Sequence, residues 1–145
     1  MRPINEMKLI FPARSVNEGF ARLAAASFAA QLDPTIDELN DIKTIISEAV
    51  TNCIVHAYPD SIGSVRLRCR IYPDGVFEAV ISDSGVGIAD LDKAREPMFT
   101  TGGAERSGMG FTIMESFADK FSVRSRAGKG TTVQFKKRIA PRVGK

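Results

Sequence analysis

The spacing of apolar residues along this chain changes period several times, and each change marks an element. Met7 to Phe11 reads as a short strand, which Pro12 interrupts. A cap at Ser15 or Asn17 predicts a helix running to about Leu32, with Phe20, Leu23, Ala24, Ser27, Phe28 and Leu32 at helical spacing. Asp33-Pro34-Thr35 breaks the chain and recaps it. The next helix has the strongest pattern. Ile36, Leu39, Ile42, Ile46, Ala49, Val50, Cys53 and Ala57 recur every three or four residues, and Tyr58-Pro59-Asp60 ends the run.

The period then drops to two. Val65, Leu67, Cys69 and Ile71 alternate with polar residues between Gly63 and Tyr72. Pro73-Asp74-Gly75 is a turn, and Val76 to Ser82 is a second strand with Phe77, Ala79 and Ile81 on one face, completing a hairpin. From Gly85 to Gly110 there are six glycines and only a brief helical stretch near Ile88 to Arg95. A loop this long in a small domain is expected to be functional, a lid. Phe111 to Phe117 reads as a helix, and Lys120 to Ser125 and Thr131 to Arg138 as strands joined by the turn Ala127-Gly-Lys-Gly130. The sum is an α/β two-layer sandwich, a mixed and mostly antiparallel sheet with helices on one face.

At 145 residues the chain is expected to form one domain, residues 1–145, with a real core. Its net charge of +3 comes without a basic stripe interleaved with aromatics, so nucleic acid is not an expected partner. Cys53 and Cys69 lack CxxC spacing and the chain has one histidine, His56, which argues against zinc. No leader-like or membrane-length apolar run is present, so a cytoplasmic protein with reduced thiols is expected.

Four short motifs carry chemistry. Glu48 and Asn52, four residues apart, project from one helix face, and His56 continues the line. Asn offers a neutral oxygen suited to Mg²⁺, and Glu can take a hydroxyl proton during phosphoryl transfer. Two polar residues on a solvated helix face would look the same in isolation. Asp83-Ser-Gly85-Val-Gly87 follows a strand end, where a carboxylate can accept from the exocyclic amine of adenine and glycines let backbone approach a flat base. An ordinary Asp-Gly turn has that composition too. Ser107-Gly108-Met109-Gly110 opens a helix, presenting free N–H groups to phosphate. Gly128-Lys-Gly-Thr131 enters the last strand. There is no GxxxxGK[ST], no GxGxxG after a strand and no HRD or DFG element, which excludes P-loop, Rossmann and eukaryotic-type protein kinase sites.

In this order the motifs resemble those of the GHKL ATPases, with their Bergerat-type ATP-binding fold. The stretches Ser47-Glu-Ala-Val-Thr-Asn-Cys-Ile-Val-His-Ala-Tyr58, Pro97-Met-Phe-Thr-Thr101 and Glu105-Arg-Ser-Gly-Met-Gly-Phe-Thr-Ile-Met-Glu115 resemble, more narrowly, the small bacterial anti-sigma serine kinases. The resemblance covers essentially the whole chain. It implies a protein that binds a sporulation sigma factor and uses Mg-ATP to phosphorylate a serine of an anti-anti-sigma protein, leaving ADP. It also implies residue roles. Asn52 would ligand Mg²⁺ and Glu48 would be the catalytic base. Asp83 would read adenine, with Gly85 and Gly87 beside the base and Thr131 in the same network. Thr100, Thr101, Ser107, Gly108, Met109 and Gly110 would lie along lid and phosphates, and Arg106 would act at the γ-phosphate. Arg22 would contact protein partners, and the first strand would pair two copies into a homodimer.

One departure stands out. The family lid continues from Phe-Thr-Thr with a Lys and a Pro, whereas here Gly102-Gly103-Ala104 follows Thr101 and the segment is one residue short. Three alternatives stay open beside the leading reading, and the altered lid bears on the first of them. One is a nucleotide-dependent sigma-binding module with little kinase activity, and another an anti-sigma kinase of a general-stress sigma factor. The third is a histidine-kinase catalytic domain whose histidine sits on a separate chain.

Overall fold

A computed structural model describes residues 1–88 and 110–141. The elements follow as β1 (Asn5–Pro12), α1 (Val16–Ala29), α2 (Ile36–Asn52), β2 (Ser64–Ile71), β3 (Val76–Asp83), α3 (Gly110–Phe117), β4 (Lys120–Arg126) and β5 (Gly130–Arg138). The strands form one five-stranded sheet in the order β1-β2-β3-β5-β4. All four ladders are antiparallel, so the mixed sheet expected from the sequence is purely antiparallel among the described residues. The helical stretch expected near Ile88 to Arg95 lies outside the described residues, apart from its first position.

The two-residue period of the sheet does what its sequence dictates. Val65, Leu67, Cys69 and Ile71 of β2, Phe77, Ala79 and Ile81 of β3, and Val133 and Phe135 of β5 are all buried. Their shared face packs against the helices, with the Phe77 and Phe135 rings tilted at 5.9 Å between centroids. Burial of large apolar side chains on this scale, about 1.5–3 kcal/mol for each, is what holds the two layers together.

In α1 the structure corrects the expected inward face. Phe20 and Leu23 are 56% and 59% exposed, while Ala21, Ala25, Ala26 and Ala29 are buried. The reason is steric. α1 packs against α2, β1 and β2, and a seam of alanines lets one helix backbone approach another where Phe or Leu would hold it off. The helix starts after Ser15, whose side chain makes no cap bond, and ends in a 3₁₀ turn over Ala30–Leu32.

The second helix is started by chemistry legible in the sequence. Thr35 and Glu38 form a reciprocal capping box: Glu38 N donates to Thr35 Oγ1 at 3.1 Å and Thr35 N to Glu38 Oε1 at 2.8 Å. Glu38 Oε2 also accepts from Ala140 N at 3.1 Å, tying the chain beyond β5 to this helix start. Ile36 and Leu39 precede the core-facing turns, and Ile36 is exposed. Ile42, Ile45, Ile46, Ala49 and Val50 then form the buried stripe.

Thr35→Ala removes one half of the box and is expected to cost about 1 kcal/mol, read as a lower urea midpoint at unchanged m-value. Partial desolvation raises the Glu38 pKa, but the bonds from Thr35 and Ala140 outweigh it and hold the carboxyl below its usual range. A group depressed in this way stabilises the fold above its unfolded pKa and loses that contribution as pH falls through the folded value. The stability gap between wild type and Glu38→Gln should therefore be full at neutral pH and shrink in acid, measured by urea titration across that window.

Candidate functional site

The site is built where the end of α2 meets the turn after β3. Glu48 and Asn52 sit one turn apart near that end, both partly buried. Gly110, the first residue of α3, lies directly over them. A Cβ there would stand 3.2 Å from Glu48 Oε2, 3.5 Å from Asn52 Nδ2 and 3.7 Å from Asn52 Oδ1. The absence of a side chain at Gly110 thus keeps the two polar groups and the N-terminus of α3 in one small space.

Beyond Asn52 the helix widens into a π turn over Cys53–Ala57. Such turns free a carbonyl from the regular ladder. Here the Ala57 carbonyl accepts from Val86 N at 2.8 Å, pinning the turn after β3 to the helix end. Tyr58 adds a second clamp, its hydroxyl accepting from Ser84 N and donating to Ser64 O, each at 2.8 Å.

Asp83 stands at the centre of this junction, only 6% exposed. Its Oδ1 accepts from Gly85 N at 2.9 Å and from Thr131 N at 3.2 Å. Its Oδ2 accepts from the Cys53 thiol at 3.4 Å. Burial, followed by the nearby Asp83 carboxylate, pushes the Cys53 thiol pKa well up, so this sulfur keeps its proton and remains a donor. Oδ1 is saturated by backbone, whereas among the described residues Oδ2 has only a weak sulfur donor. The carboxylate is held rigidly and keeps acceptor capacity on one oxygen.

Glycines permit the close approach. A Cβ on Gly85 would strike the Ala57 carbonyl, and one on Gly87, at φ +74°, would strike the Arg126 carbonyl. Gly130, at φ +96°, lies against the Asp83 carbonyl in the same way. Ser125 completes the junction: its Oγ accepts from Ile88 N at 2.7 Å and lies 2.7 Å from Thr131 Oγ1.

A second feature adjoins Glu48. A cleft of about 370 Å³ is lined by Arg22, Leu23, Asn40, Lys43, Thr44, Ser47 and Glu48. Glu18 organises its α1 side, with Arg22 Nη1 at 3.5 Å and Ser47 Oγ donating at 2.7 Å to the same Oε1. The other oxygen of Glu18 is buried with no hydrogen-bond partner among the described residues.

The structure therefore brings together Glu48, Asn52 and Gly110 at one end and Asp83, Gly85, Gly87 and Thr131 at the other, with Arg22 on the cleft beside Glu48. Thr100, Thr101, Arg106, Ser107, Gly108 and Met109 lie outside the described residues. Sequence reasoning passed over Cys53, Tyr58, Ser125 and Glu18, which build the same junctions. Ser125 was recoverable, because the three residues between Arg126 and Gly130 set Ser125 opposite Thr131 in the β4–β5 register. Cys53 and Glu18 carry no such signal, since each meets its partner only through tertiary packing.

A fold of this kind, with a helix-borne Glu/Asn pair and a glycine-flanked buried Asp, defines a class. The family described as "Histidine kinase-like ATPase domain" matches residues 11–137. Two proteins named "Anti-sigma F factor" are close relatives. That of Geobacillus thermodenitrificans is 56% identical over 94% of this chain and 94% of its own. That of Priestia megaterium is 52% identical over 93% of each. The chain belongs to the histidine kinase-like ATPases and, within them, to the anti-sigma F factor family. Among solved structures, the RsbU and RsbW domains of a Mycobacterium tuberculosis protein superpose with a TM-score of 0.68 at 18% identity, over 94% of this chain and 32% of that one. The histidine kinase domain of a blue-light activated kinase from Erythrobacter litoralis gives 0.59 at 21%, over 84% of this chain and 61% of that one. Both likenesses are of fold. An ATPase domain implies nucleotide binding.

Gly130→Ala should cost about 2 kcal/mol or more, because it combines a positive φ with a collision against the Asp83 carbonyl. Gly128→Ala, also at positive φ but with nothing within 4 Å of the added carbon, should cost about 1 kcal/mol. Urea unfolding of the two variants side by side checks the difference.

Proposed function

We propose that this protein is a cytoplasmic anti-sigma factor of the sigma F type and an ATP-dependent protein serine kinase, acting as one domain over residues 1–145. It would bind and silence a sporulation sigma factor, and would inactivate the anti-anti-sigma antagonist by phosphorylating one of its serines. The observation that carries this reading is the position of Glu48. It borders the cleft that holds Arg22 on one side and meets Asn52 and Gly110 on the other, so a partner seated at Arg22 would present a hydroxyl to the phosphate end of the nucleotide site.

In this reading Asp83 Oδ2 accepts from the adenine amine, and Gly85, Gly87 and Thr131 shape the base pocket. Gly110 and the N-terminus of α3 face the phosphates, with Thr100, Thr101, Ser107, Gly108 and Met109 along the lid. Among the described residues no cluster of three or more His, Cys, Asp or Glu could hold a metal alone. A Mg²⁺ ion would therefore be shared between Asn52 and the nucleotide's own phosphates, where it would offset charge on the transferring group. Glu48 takes the proton of the partner's serine as the new O–P bond forms, the bond to the β-phosphate oxygen breaks and ADP leaves. Arg106 would act at the γ-phosphate, and Arg22 would contact the protein partners. The β1 edge is unpaired among the described residues and would join two copies into a homodimer.

One feature favours a second reading. Gly102-Gly103-Ala104 replaces the family's Lys and Pro after Thr101, which removes a cationic phosphate contact. That favours a sigma-binding module that holds nucleotide and transfers phosphate slowly.

The test is transfer from γ-labelled ATP to a purified anti-anti-sigma protein, with and without Mg²⁺. Magnesium-dependent label on a partner serine is expected. Intact nucleotide binding without label would select the module. Glu48→Gln should lower transfer about 10²–10⁴-fold at near-unchanged ATP affinity, and wild-type rates in that variant would remove Glu48 as base. Asp83→Asn should weaken ATP binding about tenfold or more, or about 1.4 kcal/mol, by calorimetry.

A further inference from the structure

The helices cover one face of the sheet, and the strand residues between the core positions point to the other. Register aligns those outward residues in rows across all five strands. One row reads Glu6, Arg70, Glu78, Lys136 and Lys120. Its charges are largely paired: Glu6 bonds Arg70, and Glu78 lies 3.8 Å from Lys136 and accepts from Gln134 and Tyr72. The next two rows differ. They read Lys8, Arg68, Val80, Gln134, Ser122 and then Ile10, Arg66, Ser82, Thr132, Arg124. Neither contains an acidic residue, and Arg126 follows on the same face of β4.

Within those two rows, Arg66 bonds only the Ser82 hydroxyl among the described residues, at 3.2 Å. Lys8 touches Glu6 only at 4.0 Å, at an exposed site. Next to it on β2, Arg68 is half-buried and its Nε is shut away from solvent with no acceptor among the described residues. A guanidinium can only donate, so a group that pairs with Arg68 must offer an acceptor.

We infer that the open face of the sheet, with Arg66 and Arg68 on β2 and Arg124 on β4, docks an acidic protein surface whose carboxylates pair with these guanidinium groups. Charge complementarity fixes the sign of the occupant. Its class follows from the rest of the face. Arginines stand among Ser82, Thr132, Gln134, Val80 and the 69% exposed Ile10, which is the mixture of Arg, hydrogen-bonding and apolar groups that protein interfaces use. Arginine's planar fork matches a carboxylate bidentately. The two rows hold no aromatic ring on which bases could stack. A second copy of this chain would set like charges against each other. The surface lies on the opposite side of the sheet from α1 and the Arg22 cleft, so a partner here would leave that cleft open.

The test uses full-length protein and fluorescence anisotropy with a labelled deca-glutamate peptide, and a DNA duplex of equal charge as second probe. Arg66→Ser/Arg68→Ser/Arg124→Ser should weaken peptide binding at least tenfold. A control with the same loss of charge, Arg2→Ser/Arg14→Ser/Lys145→Ser, should stay within twofold. Both should keep wild-type ATP affinity, and added peptide should shift amide resonances of β1, β2 and β4. Should the triple variant not fold, Arg68→Gln alone should weaken peptide binding about threefold, with Arg68→Lys recovering part of it. Equal losses in both triple variants, or no peptide binding by wild type, would overturn the inference. Tighter duplex binding that fails with the same three arginines would reassign the face to nucleic acid and overturn it as well.

Discussion

The candidate site depends throughout on backbone approaching backbone around one buried carboxylate. Asp83 is held by two main-chain N–H groups, from Gly85 and Thr131, and by the Cys53 thiol. Those donors come from three separate parts of the chain. They converge only because Gly85, Gly87 and Gly130 add no side chain where the Ala57, Arg126 and Asp83 carbonyls stand. A buried carboxylate without such donors would carry a large desolvation cost. The glycines are thus as much a part of the site as the acid, and their role is steric before it is chemical.

Helix α2 makes the arrangement coherent. One face of it is core, through Ile42, Ile45, Ile46, Ala49 and Val50. Its other positions carry, in order, Ser47 and Glu48 on the Arg22 cleft, then Asn52 beneath Gly110, then Cys53 on Asp83 and Ala57 on the following turn. A rigid helix anchored by its core stripe and by the Thr35–Glu38 box sets the spacing among all four. The π turn at its end lets the last carbonyl leave the helical ladder and hold a loop instead.

The two faces of the sheet divide the remaining work. The face toward the helices is apolar and closes the core. The other keeps its charge, largely paired along one row by Glu6 and Glu78 and mostly basic along the next two, which hold no acid of their own. The sequence shows alternating Arg and Val, Leu, Cys or Ile in β2, but a strand pattern reveals only that every second residue points outward. Cross-strand register adds the charges of five strands into one surface, and for that reason a modest net charge of +3 concealed a strongly basic face.

Much of the architecture was legible before any coordinates. Alternation placed β2 and β3, the three-to-four spacing placed α2, and Asp33-Pro34-Thr35 marked its start, because these signals are local and act within a few residues. The Glu48, Asn52, Asp83 and glycine motifs were legible for the same reason, being short and ordered. The inward face of α1 was misread, since a period alone cannot tell that helix-to-helix contact there admits only alanine. What the sequence by itself determined was the elements and the candidate chemistry along each. Only tertiary structure decided which residues meet: Cys53 with Asp83, Ser125 with Thr131, Ser47 with Glu18, Arg68 amid a basic face. Those pairings depend on packing distances and strand register between segments far apart in the chain, and no local pattern encodes them.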